Sequence, residues 1–195
     1  MPVTGDWDGD GTATAGTYDR ATATYELATA NSNGSPAIKL TFGTPDLVPV
    51  IGDWDGDGKA TVGAYDPKTG HFVLTNSPTG AEPYIRFSFG APGWVPIAGD
   101  WDGDGKDSVG AYDPANGVFF LTNANVDGEA SVTCAFGAKN LVPIAGDWNG
   151  DGKSTIGVYD PGAGVFFLRN SNDPGVADTT FTFGAPKMVP VVGGW

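Results

Sequence analysis

The sequence predicts an all-β protein, and within that class a β-propeller of four four-stranded blades. Three observations carry the prediction: a repeat of constant length, short apolar segments within each repeat, and turn residues between those segments. The 31 glycines and 15 prolines would weaken helix interiors throughout the chain. A hydrophobic fraction of 40%, with 12% aromatic residues, is enough for a packed core. The chain is therefore expected to fold as strands and turns around that core.

The repeat has a period of 47 residues without insertion or deletion. The segment Pro-Val-Thr-Gly-Asp-Trp at the start of the chain recurs, with small changes, at the start of each copy. The copies span residues 2–48, 49–95, 96–142 and 143–189, and a remnant of the opening segment follows at 190–195. We interpret residues 1–195 as one repeat domain with a surplus first strand at its C-terminal end. That strand could overlap the first blade to close the ring, mark the edge of a larger array, or pair with another chain by self-association.

Copy four illustrates the strands expected in every copy. They are Val142–Trp148, Thr155–Tyr159, Val165–Arg169 and Thr179–Phe183, separated by turns rich in Asp, Asn, Gly and Pro. Four strands in about 40 to 50 residues is typical of a propeller blade. A β-solenoid is the alternative, although its rungs are usually shorter, at about 20 to 30 residues.

An acidic turn follows the first strand of each copy, with oxygen-bearing side chains at turn positions 1, 3 and 5. These residues are Asp6, Asp8 and Asp10; Asp53, Asp55 and Asp57; Asp100, Asp102 and Asp104; and Asp147, Asn149 and Asp151. Calcium binds six to eight oxygens, and a tight glycine-containing turn can bring alternate side chains together around it. The pattern predicts up to four Ca²⁺ ions, one per repeat.

Two further turn positions are candidate calcium ligands. Position 7 would contribute a backbone carbonyl, from Thr12, Lys59, Lys106 and Lys153. Position 9 carries a hydroxyl where a carboxylate would bind more tightly, at Thr14, Thr61, Ser108 and Thr155. We therefore expect weak affinity, with a Kd of about 10⁻⁵ to 10⁻³ M. In copy three, Asp107 stands one residue before position 9 and is expected to compensate for the missing acid.

A plain hairpin turn is the alternative interpretation, because Asp and Gly tolerate the positive φ of such turns. It accounts for the glycines but not for the density of acids. Eleven of the 23 acidic residues lie in these four turns, where they repel one another unless a cation is bound. Calcium is the preferred interpretation.

The acidic turns, together with Phe89-Gly90-Ala91-Pro92 and Phe183-Gly184-Ala185-Pro186, resemble the FG-GAP and VCBS repeats. Those repeats build the calcium-bearing propellers of integrin α chains and of related fungal lectins. The resemblance covers nearly the whole chain, although the acid common at position 9 in that family is missing from all four copies. It implies calcium coordination by the aspartates and Asn149, adhesion or glycan recognition, and a location outside the cell or at its surface.

The net charge of −13 disfavours nucleic acid and anionic lipid surfaces as partners. No segment is apolar enough for membrane insertion. Glycans or surface proteins are the expected partners. His71 is the only histidine and Cys134 the only cysteine, so no catalytic triad can be assembled, and an enzyme is not expected. A structural scaffold without a ligand beyond calcium, natural or engineered, and an accessory domain of a secreted hydrolase are the alternative functions.

Aromatic residues recur at fixed repeat positions, which predicts packing between neighbouring sheets. They are Trp7, Trp54, Trp101, Trp148 and Trp195, with Tyr18, Tyr65, Tyr112 and Tyr159. Trp94, whose equivalents are aliphatic, is predicted to lie in the core as well. Four segments that differ among the copies are the candidate recognition surface: 30–37, 77–83, 124–130 and 171–177.

Overall fold

A computed structural model describes residues 1–194, and Trp195 lies outside the described residues. The described chain forms sixteen strands and no helix, so it contains no helix long and apolar enough to cross a membrane. The first two blades contain β1 (Pro2–Gly5), β2 (Thr14–Asp19), β3 (Thr24–Leu27), β4 (Ile38–Thr41), β5 (Val48–Gly52), β6 (Thr61–Asp66), β7 (His71–Thr75) and β8 (Tyr84–Ser88). The last two contain β9 (Val95–Gly99), β10 (Ser108–Asp113), β11 (Val118–Leu121), β12 (Val132–Ala135), β13 (Val142–Gly146), β14 (Thr155–Asp160), β15 (Val165–Leu168) and β16 (Thr179–Thr182).

Each copy of the repeat forms one antiparallel sheet in which the four strands lie in chain order. In blade 4, for example, Val142 pairs with Tyr159 and Gly146 with Thr155. The observed strands agree with the predicted ones to within one or two residues at their ends, because turn residues delimit them in every copy. The prediction of a four-bladed β-propeller is confirmed, and the solenoid alternative is wrong.

The first strand of each blade lies nearest the axis, and neighbouring first strands contact each other. One backbone hydrogen bond recurs between successive blades. The Asp6 carbonyl accepts from the Ala60 amide, the Asp53 carbonyl from the Asp107 amide, and the Asp100 carbonyl from the Ser154 amide, each at 2.7 Å. These bonds join the acidic turn of one blade to the residue just before the second strand of the next.

The core consists of three clusters, each built from one blade and the second strand of the blade that follows. The repeated tryptophans and tyrosines of the first three blades belong to these clusters, whereas Trp148 is half-buried outside them and Tyr159 is buried outside them. Tyr65 and Tyr112 are fully buried, and the tyrosine of each blade packs against an aromatic residue of the third strand, as Tyr112 does on Phe119 at 4.6 Å between ring centroids. Their predicted packing between neighbouring sheets is confirmed in the first three blades, is not seen for Trp148 and Tyr159, and concerns in Trp195 a residue outside the described ones.

Residues 190–194 occupy the place expected for a surplus first strand but do not form a regular strand. The Thr4 hydroxyl of β1 donates a hydrogen bond to the Val192 carbonyl. The Gly194 carbonyl accepts a hydrogen bond from the Ala13 amide at 2.7 Å, and Ala13 is the blade 1 equivalent of Ala60 in blade 2. The C-terminal segment is therefore attached to the first blade.

Candidate metal centre

The four acidic turns connect the first and second strands of their blades. In the first turn, Gly9 and Gly11 have φ angles of 79° and 88°, and the equivalent glycines of the other turns have similar values. Side chains with a Cβ rarely adopt these angles, so glycine at these two positions allows the chain to coil tightly. Alternate residues then face the same side of the turn.

The position 1 aspartate organises each turn by accepting backbone hydrogen bonds. In blade 3, Asp100 Oδ1 accepts from the amides of Gly103 at 2.7 Å and Asp104 at 3.1 Å, and Oδ2 accepts from Gly105 at 2.8 Å. Asp104 Oδ1 in turn accepts from the Lys106 amide at 2.9 Å. The same four bonds recur in the other three turns. In blade 4, the hydrogen bond from the Gly152 amide is the largest of the interactions that lower the pKa of Asp147.

In three of the turns, the three predicted carboxylates converge. Each triad places one carboxylate oxygen per residue within 4.8 Å of the others, and the members at positions 3 and 5 are exposed. The triads are Asp6, Asp8 and Asp10; Asp53, Asp55 and Asp57; and Asp100, Asp102 and Asp104. A cation placed among those oxygens could contact all three residues and remain open to water on its outer side.

The fourth turn has the same backbone but a different side-chain arrangement. Asn149 Nδ2 donates a hydrogen bond to Asp151 Oδ2 at 3.0 Å. The amide therefore partly satisfies a carboxylate that a cation would satisfy in the other turns. Two carboxylates and one amide oxygen remain as potential ligands, which predicts a weaker site than the three triads.

The position 9 residues lie within the sheets. Thr14, Thr61, Ser108 and Thr155 are all buried at the start of the second strands. Their hydroxyls donate to backbone carbonyls, for example Thr61 to Gly52 at 3.3 Å and Thr155 to Arg169 at 2.7 Å. These bonds tie neighbouring strands together, and the role of the hydroxyls as calcium ligands stays a prediction.

The lysines at position 7 extend towards the preceding blade. A Cβ built on Gly9 would lie 3.1 Å from Cγ and 3.2 Å from Cε of Lys59, so this lysine stem crosses the first acidic turn. Lys106 crosses the second turn and Lys153 the third in the same way, whereas Gly150 of the fourth turn has no such neighbour among the described residues. No sequence pattern predicts this contact, because it joins different blades.

Asp107 does not supplement its own turn. Its Oδ2 accepts a hydrogen bond from the backbone amide of Asp53, in the preceding blade, at 2.8 Å. Burial raises the pKa of Asp107 to about 6, and the nearby Asp53 and Asp100 carboxylates add to the increase, while the Asp53 amide opposes it. Asp107 also lines a central cavity of about 490 Å³, whose wall includes Asp6, Asp53 and Asp147. The acidic turns thus lie beside the cavity around which the blades are arranged.

Two clefts between neighbouring blades escaped the sequence analysis. Trp94 and Phe120 stack at 4.4 Å between ring centroids and line a cleft of about 350 Å³ together with Glu129. The equivalent cleft between blades 1 and 2, of about 370 Å³, is lined by Tyr84 and by Arg86, whose Cζ lies 4.5 Å from the centre of the tyrosine ring.

Trp94 itself packs against the second core cluster but is only partly buried, which corrects its assignment to the closed core. Glu129 and Ala130 of the same cleft belong to the variable segment 124–130. The variability of this segment among the copies is the sequence feature that points to the cleft. The sequence does not show which residues of another blade face the segment. Aromatic surfaces beside charged groups make these clefts candidate recognition sites.

Comparison with known proteins identified no relative: no family model, no curated protein and no solved structure gave a significant match. The resemblance to FG-GAP and VCBS repeats stays a prediction.

Proposed function

We propose that the protein is a non-enzymatic, calcium-stabilised β-propeller that acts as an adhesion or carbohydrate-binding module outside the cell. The observation that carries the calcium part is the convergence of three carboxylates in each of three turns, with all ligand oxygens within 4.8 Å. The carbohydrate part is supported by the clefts between the blades. The two parts have separate tests.

The backbone amides that hold the position 1 aspartates favour a preformed ion site. A carboxylate has about four lone-pair directions, so an aspartate that accepts three amide hydrogen bonds can still bind a cation. Fixing that side chain in advance reduces the entropy that calcium binding must overcome. Position 3 and position 5 carboxylates are exposed and complete the oxygen cluster.

The triads are not neutralised by protein cations in direct contact. Among the ion pairs of residues 1–194, none joins a triad carboxylate to a lysine or arginine. Three like charges within a few ångströms repel one another even in a solvated environment. A divalent cation would remove that repulsion, and it would bind only the folded turn.

A non-enzymatic role is supported by the state of the nucleophile candidates. Burial raises the pKa of Cys134 to about 11, so the thiol stays protonated at neutral pH. His71 is exposed and lies 3.5 Å from the Ser88 hydroxyl, at the limit of hydrogen bonding. Neither residue is part of an activated pair.

Carbohydrate binding is supported by the chemistry of the two clefts. Sugars present apolar C–H faces to aromatic rings and hydroxyl groups to polar side chains, and cavities of about 300 to 1,000 Å³ are typical of ligand sites. The stacked Trp94 and Phe120 supply the ring surface, and Glu129 supplies a hydrogen-bond acceptor.

Calcium titration with thermal unfolding tests the metal part. If Kd is about 1 mM, 5 mM calcium should stabilise the protein by about 1 kcal/mol per site relative to EDTA, which raises Tm. The triple variant Asp8→Asn, Asp55→Asn, Asp102→Asn gives every turn the composition of the fourth turn. It should lose most of the calcium-induced rise in Tm, and its Tm in EDTA should equal or exceed that of the parent, because each substitution removes one of three mutually repelling charges.

Magnesium at the same concentration is the control for a general ionic effect, because it requires near-ideal octahedral geometry that an exposed turn does not enforce. Equal Tm values in calcium and in EDTA would refute the calcium proposal.

Glycan-array binding tests the carbohydrate part. The variant Trp94→Leu takes the residue found at this position in copies one and three, Leu47 and Leu141, and should preserve packing while removing the ring. We expect weaker glycan binding at unchanged Tm. If the parent protein binds no glycan at all, the scaffold alternative replaces the carbohydrate part, and the calcium result stands on its own.

A further inference from the structure

The three interfaces between successive blades follow one pattern. A phenylalanine just after the fourth strand of one blade packs on two residues of the second strand of the next. These sets are Phe42 with Val62 and Ala64, Phe89 with Val109 and Ala111, and Phe136 with Ile156 and Val158. All nine residues are buried. Each blade thus presents an apolar face to the blade that follows it.

Blade 4 carries the same apolar face but leaves it uncovered. Phe183 is 74% exposed, whereas its equivalents Phe42, Phe89 and Phe136 are 5% to 7% exposed. Phe181 is 43% exposed, although every equivalent residue is buried. Met188 is exposed as well. The repeat therefore supplies the side chains of a fourth interface with no partner in the described structure.

Blade 1 has the complementary uncovered face. Ala15 and Thr17 of β2 are exposed, whereas their equivalents in the next three blades, which receive the phenylalanine of the preceding blade, are all buried. The side of blade 1 that would receive a preceding blade is open. Blades 4 and 1 do not cover each other in the way that successive blades do.

The segment 190–194 lies in the gap between those two faces. On one side, its Gly194 carbonyl makes the hydrogen bond to Ala13 that joins successive blades elsewhere. On the other side, Val192 Cγ1 lies 3.0 Å from a Cβ built on Gly146 of β13. One innermost segment therefore fills the space between β13 and β1, which leaves room for the outer strands of one blade.

We propose that this gap is a docking site for the outer three strands of one further copy of the repeat. Residues 190–194 would serve as the first strand of that blade, and the ring would have five blades, within the range known for propellers. The incoming strands would bury Phe183 as the second strand of each following blade buries its equivalent. Their own terminal phenylalanine would cover Ala15 and Thr17.

A whole second copy of this chain fits the gap less well. It would bring four complete blades to a space that already holds the first strand of one. Contact between the open faces of two chains would be head-to-tail, and such contacts produce open chains of molecules unless their rotation closes a ring. Polymers of that kind would depend strongly on protein concentration.

The test uses the full chain and a fluorescent polypeptide with the sequence of residues 102–142. That sequence contains strands two to four of copy three. Its first residue, Asp102, is the repeat position that would follow Trp195, because Trp195 is the equivalent of Trp101. We expect saturable binding with one polypeptide per chain, by fluorescence anisotropy and native mass spectrometry. The complex should resist proteolysis of the C-terminal segment better than the free chain does.

The variant Phe183→Asp should weaken binding at least about tenfold, because a charge replaces an apolar side chain in the docked interface. Its unfolding midpoint should match the parent, since Phe183 is exposed in the free chain. Val126→Asp, which changes an exposed apolar residue in a loop of blade 3, is the matched control and should bind like the parent.

Two results would overturn the proposal. One is the absence of binding at the highest soluble polypeptide concentration, or equal binding by Phe183→Asp and the parent. The other is concentration-dependent association of the chain with itself that Phe183→Asp abolishes and the polypeptide does not compete with. In the second case a further copy of the whole chain would be the occupant.

Discussion

Replacing Asp107 with asparagine should stabilise the protein at neutral pH, although it removes a residue that makes a hydrogen bond. Asp107 is the only acid among its repeat equivalents Ala13, Ala60 and Ser154. Its carboxylate accepts from the Asp53 amide, and an asparagine carbonyl oxygen can accept the same bond. The variant Asp107→Asn therefore removes the charge and keeps the contact.

The magnitude follows from the pKa, which rises from the ordinary 3.8 to about 6 on folding, mainly through burial. Below pH 4 the carboxyl is protonated in both states and costs nothing. Between about pH 4 and 6 the unfolded state releases its proton first, so the free energy of unfolding falls as pH rises. Above pH 6 the charged carboxylate destabilises the folded state by about 3 kcal/mol if the whole pKa shift is counted. Partial exposure of Asp107 to solvent lowers the expected destabilisation to about 1 to 3 kcal/mol.

Urea unfolding of the parent and Asp107→Asn, in EDTA from pH 3.5 to 7.5, measures this difference. We expect the two proteins to agree near pH 3.5 and the variant to be more stable at pH 7. Asp127→Asn is the control, because Asp127 is exposed and also accepts a backbone hydrogen bond, from Ser88 at 2.8 Å. A variant no more stable than the parent at pH 7 would refute the assignment of a costly buried charge.

Three matched pairs of substitutions test the packing. Phe72→Ala should lower the free energy of unfolding by about 3 to 5 kcal/mol, because this fully buried ring stacks on Phe87. Phe183→Ala at the open face should change it by less than about 0.5 kcal/mol. Urea unfolding measures both values. Gly52→Ala should cost about 1 to 3 kcal/mol, since its Cβ would lie 2.6 Å from the Trp54 ring, whereas Gly34→Ala has open space and should be neutral by Tm. Tyr112→Phe should lower the free energy of unfolding by about 1 kcal/mol, because it loses the 3.2 Å hydrogen bond to the Ala138 carbonyl. Tyr159→Phe should not lower it, because the Tyr159 hydroxyl has no hydrogen-bond partner in the described residues. Equal losses of stability in the two variants would contradict this difference in bonding.

The strands and the blade count could be predicted from the sequence because both depend on local chemistry. Turn residues limit each strand, as at Asp160–Gly164 between β14 and β15, and the constant period shows that the same unit recurs. The observed strand ends differ from the predicted ones by one or two residues; for example, the third strand of blade 4 ends at Leu168 instead of Arg169. The acidic side chains also converge locally, since positions 1, 3 and 5 share one turn.

Features that join different blades could not be predicted in this way. The period says that blades are equivalent, but the rotation between them decides which residues meet. Asp107 reaches the Asp53 amide of another blade, and Trp94 stacks on Phe120 across a cleft. The exposure of Phe183 is the clearest case, because its sequence context matches that of Phe89 and only the missing neighbour distinguishes them.

The lysine stems offset one carboxylate charge in each of the first three turns, so the turns differ less in local charge than their numbers of carboxylates suggest. Each of the first three turns has three carboxylates and a lysine stem from the following blade across its glycine, for a sum of −3 + 1 = −2. The fourth turn has two carboxylates, Asp147 and Asp151, with the neutral Asn149 and no crossing lysine, which also gives −2. Asp107 adds a further negative charge beside the second turn above about pH 6, so that turn carries the largest negative charge of the four. Because the lysine that would cross the fourth turn belongs to the next blade in the ring, a docked fifth repeat with lysine at position 7 would lower the calcium affinity of that turn, so the two proposals are coupled at this one site.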